Sequence, residues 1–269
     1  MKSFLLAFYQ LTRLPLPNVN FDEKACGRAT LFFPAVGLFL GGLLAALAWA
    51  AGYLFPSGVK ASLLVVGMVV LTGGMHLDGF MDSIDGLFSG RARERKLEIM
   101  RDSRVGAFGV IGVICLLLLK YNLLLELPDG VLLKVLLILP VLSRWGMAIA
   151  VIAFPYARPD GLGKVYAIQS GSKELAGSTI ITAVAATLIL GLQGAWLVAL
   201  AASIAWLVGR KIVKELGGLT GDTYGLINEL LEVALLFAVY PILRWSYGFH
   251  SILQLPICRH FVSIMKGVM

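Results

Sequence analysis

The feature that most constrains this chain is the spacing of its apolar runs. Seven of them, at residues 30–55, 59–77, 105–125, 131–154, 175–192, 195–208 and 226–243, are 14 to 26 residues long and are separated by polar stretches. A bilayer-spanning helix needs about 20 predominantly apolar residues, so the pattern predicts an all-α, polytopic membrane bundle of about seven transmembrane helices. The sixth run is short and is expected to extend through 211–216. Only 14% of the 269 residues are charged, against about 25% in an ordinary soluble domain. A soluble enzyme, a secreted disulfide scaffold and a disordered chain are thereby excluded. Small residues inside the runs, Gly37, Gly41 and Gly42 and then Gly106, Gly109 and Gly112, suit close helix packing in lipid.

The chain reads as a single membrane domain over 1–269, without internal repeats. Residues 1–28 form an interfacial helix and a cytoplasmic segment, 29–248 the bundle, and 249–269 a tail whose side stays open. Phe4, Leu5, Phe8 and Leu11 share one helical face, which predicts a helix lying in the interface up to Pro15. The short apolar run at 4–9 has no small-x-small site after it, so a signal peptide is not expected. Cys26, Cys115 and Cys258 have no metal-like spacing and read as packing residues. Four long polar stretches, 1–28, 76–104, 155–174 and 209–225, carry sixteen of the 23 Lys and Arg residues. Alternating spans put all four on one face, which the positive-inside rule makes cytoplasmic in a cell (inner) membrane. The net charge of +7 is explained in the same way, and no nucleic-acid partner is expected.

The second run ends in residues 73–86, GGMHLDGFMDSIDG. On a helix Asp78, Asp82 and Asp85 stand at i, i+4 and i+7, within about 60° of one another. Carboxylates crowded near a membrane repel one another unless a cation lies between them, and hard divalent cations take oxygen ligands. The reading is one or two metal ions on Asp78, Asp82 and Asp85, with room for a phosphate. A solvated acidic helix end is the bland alternative. His76 points about 160° away from Asp78, which makes it a packed or capping histidine, with a place in the site as the alternative.

Six basic residues follow, from Arg91 to Arg104. Positive-inside charge explains most of them, and a phosphate clamp built on Arg101 and Arg104 is the sharper reading, because Arg binds phosphate bidentately. Asp102 lies among these cations. Two further clusters fall on the same face: Arg158 with Asp160, Gly161 and Gly163, and Asp222 in a Gly-rich loop before Asn228, Glu229 and Glu232. Arg144, in mid-span, is either a counter-charge for those acids or a substrate contact. Carboxylates for metal, arginines for phosphate and glycines for close approach suggest phosphoryl transfer at a membrane face. A cation transporter is the competing class, but it predicts acids spread through several spans rather than gathered at one face.

The run at 73–86 and the segment RDSRVGAFG at 101–109 resemble the cobalamin synthase family, the adenosylcobinamide-GDP ribazoletransferases. The likeness extends to Leu11–Pro15, to Arg158-Pro159 with Gly161-Leu162-Gly163, and to Gly221-Asp222-Thr223, and it fades after Glu232. Phe80, Met81 and Ile84 stand where smaller residues are expected, between the carboxylates. The resemblance implies a magnesium-dependent late step of vitamin B12 assembly. A hydroxyl of α-ribazole, or of its phosphate, attacks the cobinamide-linked phosphorus of adenosylcobinamide-GDP, and GMP leaves. It further implies that Asp78, Asp82 and Asp85 hold magnesium, with Asp82 and Asp102 catalytic. Arg101 and Arg104 would hold the diphosphate or GMP, and Arg158, Arg144 and Asp222 would contact substrate, with His76 and Glu229 as additional candidates. The implied partners are the two substrates and the lipid bilayer, with self-association or association with other cobalamin-assembly enzymes left open. A CDP-alcohol-type phosphotransferase is the neighbouring alternative, but its Asp-Gly-x-x-Ala-Arg pattern is absent.

Overall fold

The computed structural model describes residues 1–17, 20 and 22–252, with side chains through Pro241. Of the 249–269 tail only the backbone to Ile252 is described, and Cys258 lies outside the described residues. Among the described residues twelve α-helices follow one another: α1 (Lys2–Leu11), α2 (Glu23–Ala29), α3 (Phe33–Leu54), α4 (Ser57–Thr72), α5 (Met75–Phe88), α6 (Arg93–Ile99), α7 (Ala107–Leu125), α8 (Asp129–Ala153), α9 (Leu162–Gln169), α10 (Ser172–Leu190), α11 (Gln193–Leu216) and α12 (Gly221–Ile252).

Among the described residues six helical stretches are long and apolar enough to cross a bilayer, and the bent pair α4–α5 makes a seventh if it counts as one span. The first begins earlier than residue 30. Asp22 caps α2 through the Ala25 amide at 2.9 Å, and α2 continues through a 3-10 turn into α3, giving 32 helical residues over Glu23–Leu54. The short sixth run is completed by its basic end, since α11 carries on to Leu216. Short turns at Pro56 and Gly191-Leu192 connect helices that pack on each other, α3 on α4 and α10 on α11, whereas the turn at Pro128 leads from α7 into the inner helix α8. The segments 73–106, 154–171 and 217–220 therefore meet at one end of the bundle.

Helices α8 and α12 are the inner pair, with 83% and 72% of their most apolar windows buried, against 22% for α10 and 28% for α7 and α11. Lipid tails are as apolar as Leu, so contact between spans depends on close packing rather than escape from water. Gly37 and Gly41 supply it on α3: a Cβ at either would stand 2.2 or 2.6 Å from a carbonyl oxygen of α8, at Pro140 or Leu136. Gly42, by contrast, has no neighbour there. Helix α1 buries Leu6, Ala7, Phe8 and Leu11, and packs on α2 and α3. The expected face of Phe4, Leu5, Phe8 and Leu11 is thus only partly the buried one, because protein rather than lipid covers it. Its end is fixed when the Arg13 amide donates to the Leu71 carbonyl at 2.9 Å.

Candidate active site

The second apolar run does not continue to residue 77. Gly73 and Gly74 take φ of +64° and +70°, a left-handed pair that ends α4 and starts α5 at 90° to it. Only glycine adopts two such values in succession without strain. The bend turns the Asp-bearing helix away from the span and lays it against α7 and α12. Where α5 meets α12 the two backbones nearly touch. A Cβ on Gly79 would lie 2.8 Å from the Asp222 carbonyl oxygen, and one on Gly225 would lie 2.9 Å from that of His76. These two glycines bring Asp222 to the carboxylates of α5.

Asp78 is exposed and Asp82 half-buried. Burial, followed by the negative charges of Asp78 and Asp222, pushes the Asp82 carboxyl up to about 7. Arg158 faces Asp222 at 2.7 Å, and the Thr220 hydroxyl donates to the same Asp222 oxygen at 3.4 Å. Thr220 and Thr223 exchange hydrogen bonds at the start of α12, fixing the turn that carries Asp222. The loops bearing Arg158 and Asp222 are joined by an isolated parallel bridge, Tyr156 with Leu219. In it the Ala157 amide donates to Leu219 at 2.7 Å and the Leu219 amide to Pro155 at 2.8 Å.

Asp85 occupies a different position. Its Oδ2 accepts the Gly106 amide and its Oδ1 the Gly109 amide, both at 2.8 Å, so it caps α7. This also accounts for the glycines of the 101–109 segment: a Cβ at Gly106 or Gly109 would stand 2.3 or 2.5 Å from the carboxylate. Among the described residues no three His, Cys, Asp or Glu side chains form a group that could hold a metal ion.

The basic residues divide. Arg93 donates from Nε to the Leu216 carbonyl at 2.6 Å, and Lys96 pairs with Glu215, so both fasten α6 to α11. Arg101 pairs with Asp160 and thereby joins the 101–104 turn to the loop of Arg158. Asp102 binds Arg104 at 2.7 Å in an exposed turn, and hydrogen bonds from Arg104 hold its carboxyl down to about 2. Asp102, Arg101 and Arg104 do not line the cavity described below.

Arg144 serves as the counter-charge. It pairs with Glu232, while Lys120 reaches Glu229 at 2.5 Å and Glu232 at 2.6 Å. All four are buried, so the two cations and two anions balance inside the bundle. The Lys120 side chain is buried inside the bundle. Its signal in the sequence was a lysine within an otherwise apolar run, at a depth where burial without a partner is costly.

A cavity of about 320 Å³ opens beside Asp78, Arg158 and Asp222, with Leu11, Phe33 and Tyr224 among its other walls. His76 lines it too, although sequence angles pointed it away from Asp78. Both His76 ring nitrogens, Arg158 Nε and the Tyr224 hydroxyl are buried without a hydrogen-bond partner. Buried polar groups are nearly always satisfied, so several orphans around one cavity indicate a ligand site. Tyr224 and the contribution of α1 were not anticipated from sequence, because a cavity wall has no local motif.

The family profile described as cobalamin-5-phosphate synthase matches residues 3–240. An adenosylcobinamide-GDP ribazoletransferase of Roseiflexus sp. (strain RS-1) is 43% identical over 227 residues, 84% of each chain. Those of Desulforamulus reducens and Acetivibrio thermocellus are 40% and 39% identical, over 88% and 89% of this chain and 95% and 98% of theirs. No solved structure matches. The chain is an integral membrane enzyme, and it belongs to the cobalamin-5-phosphate synthase family.

Proposed function

We propose that the protein joins adenosylcobinamide-GDP to α-ribazole or its phosphate, releasing GMP, at the cytoplasmic face of the cell membrane. The observation that carries this reading is the meeting of Asp78, Asp222 and Arg158 in the wall of a cavity with unpaired polar groups, with Asp82 within the field of all three. The acceptor hydroxyl attacks the cobinamide-linked phosphorus. The new P–O bond forms as the bond to the GMP oxygen breaks, and the hydroxyl proton passes to a carboxylate. Asp82, half-buried and within the field of both Asp78 and Asp222, is the carboxylate assigned that proton. Asp102, already held by Arg104 in an exposed turn, is not.

Magnesium fits the donor set. Its usual protein share is one or two carboxylates, with water and substrate phosphate completing the shell. Asp78 and Asp82 would hold it, with Asp222 beside them, and a cation there would relieve the repulsion that raises Asp82. Asp85 supports the site from behind as the cap of α7. When bound, the ion would neutralise charge on the phosphoryl oxygens. Arg158 orients Asp222, and Arg101 and Arg104 offer charge to the diphosphate or the leaving GMP at the exposed edge. Release of GMP from adenosylcobinamide-GDP on adding α-ribazole, with and without magnesium, tests the reading. Folded protein that releases none would overturn it, and release indifferent to magnesium would remove the metal.

A further inference from the structure

We propose that the end of the bundle opposite the candidate active site seats a zwitterionic phospholipid whose headgroup ends in a primary ammonium. A groove of about 220 Å³ lies there, between the C-terminal turns of α3 and the first turn of α8. Ala48, Leu132 and Leu133 line it with apolar surface, and Trp49, Gly52, Tyr53 and Asp129 complete it. The volume falls below that of small-ligand sites, roughly 300–1,000 Å³, which suits a headgroup rather than a whole cofactor.

The depth of the groove in the bilayer follows from the fold. Helix α3 ends at Leu54 and α8 begins at Asp129, so both spans reach their boundary here. Trp and Tyr gather where spans leave the hydrocarbon, at the level of the headgroups. Trp49 and Tyr53 stand one turn apart on α3, their ring centroids 5.2 Å apart at 78°, an edge-to-face pair. They remain 62% and 75% exposed, which leaves aromatic face open to a cation, and such faces attract cations within about 6 Å.

Asp129 supplies the selectivity. Its Oδ1 accepts from the Lys60 ammonium, yet its side chain is 80% exposed while that of Lys60 is 10% exposed. Lys60 balances the carboxylate charge, and Oδ2 remains for a second donor. The balanced groove has little pull on an anionic lipid and fits a headgroup that is neutral as a whole. Between two neutral headgroups the free oxygen decides: a primary ammonium carries N–H donors, and a quaternary one has none.

Gly52 gives the test its variant. A Cβ there would meet no atom within 4 Å, so Gly52→Leu fills the groove without a clash and favours the helix. The full chain is incubated in detergent with equimolar phosphatidylethanolamine, phosphatidylcholine and phosphatidylglycerol, and retained lipid is read by native mass spectrometry. The unaltered protein is expected to retain phosphatidylethanolamine about fivefold or more over each of the others. Gly52→Leu should abolish that preference without lowering the unfolding temperature, and Trp49→Leu should reduce it. Equal retention of the three lipids by the unaltered protein overturns the proposal, as does a preference for either of the other two. A preference that survives intact in folded Gly52→Leu places the lipid elsewhere and overturns it as well.

Discussion

Asp85 holds the start of α7 through Gly109, whose amide donates to Oδ1 at 2.8 Å in space that a Cβ on Gly109 would fill. One of the three in-register acids is therefore a helix cap, and two remain for a ligand. Loss of a capping carboxylate costs about 0.5–2 kcal/mol. Asp85→Ala is expected to lower thermal stability in detergent by several degrees. Asp82→Asn is expected to keep the unfolding temperature and to lose about a hundredfold or more in GMP release.

Asp82 predicts a proton signature. Its carboxyl stands near 7 in the metal-free protein because of burial and the neighbouring Asp78 and Asp222 charges. The raised value means that the neutral form persists from the ordinary carboxylate range up to about 7. A carboxylate must be ionised to bind metal, so adding magnesium at pH 6 is expected to release a proton into weakly buffered solution. The release should vanish well above pH 8 and in Asp82→Asn. Asp78→Asn removes one repelling charge, so release should then be smaller at pH 6.

The Lys120, Glu229, Glu232 and Arg144 network predicts non-additivity. Removing one partner from a buried ion set costs about 3–5 kcal/mol, because it strands the remaining charge. Glu232→Gln is expected to destabilise strongly. Pairing it with Arg144→Met leaves Lys120 against Glu229 and should recover part of the loss. A double-mutant cycle on unfolding temperature reads the coupling, and additive effects would show that the charges act independently.

Arg104 and Arg158 separate surface from site. Arg104 is exposed beside Asp102, and such a pair contributes about 0–1 kcal/mol to stability. Arg104→Ala should leave stability unchanged and raise the KM for adenosylcobinamide-GDP, more so in low salt. Arg158→Ala frees Asp222 and should lower kcat by about tenfold or more, with Arg158→Lys only partly restoring it.

What the sequence made legible were the features carried by local pattern. Seven apolar runs, the completion of the sixth and the one-sided polar segments all follow from composition over about 20 residues. The break at Gly73-Gly74 was harder to read, because apolar residues continue past it to Leu77 and hide a change of direction. Asp85 looked like its neighbours because its partners are amides 21 and 24 residues away. Arg144 stayed ambiguous for the same reason: its partner Glu232 lies 88 residues on. Charge and spacing identify which residues are costly to bury, and only the fold shows what relieves the cost.

The bridge between Tyr156 and Leu219 has a consequence for how this site tolerates change. Its two hydrogen bonds run between main-chain atoms, so they are indifferent to which side chains stand at 155–157 and 219, provided each bonding amide is kept. Gly218 is the exception: a Cβ there would stand 2.7 Å from the Ala157 nitrogen. Substitution around the join should therefore be mild, whereas a single inserted residue on either side would slip one loop past the other. Arg158 would then no longer face Asp222. The spacing of the two loops, more than their composition, is what the site inherits.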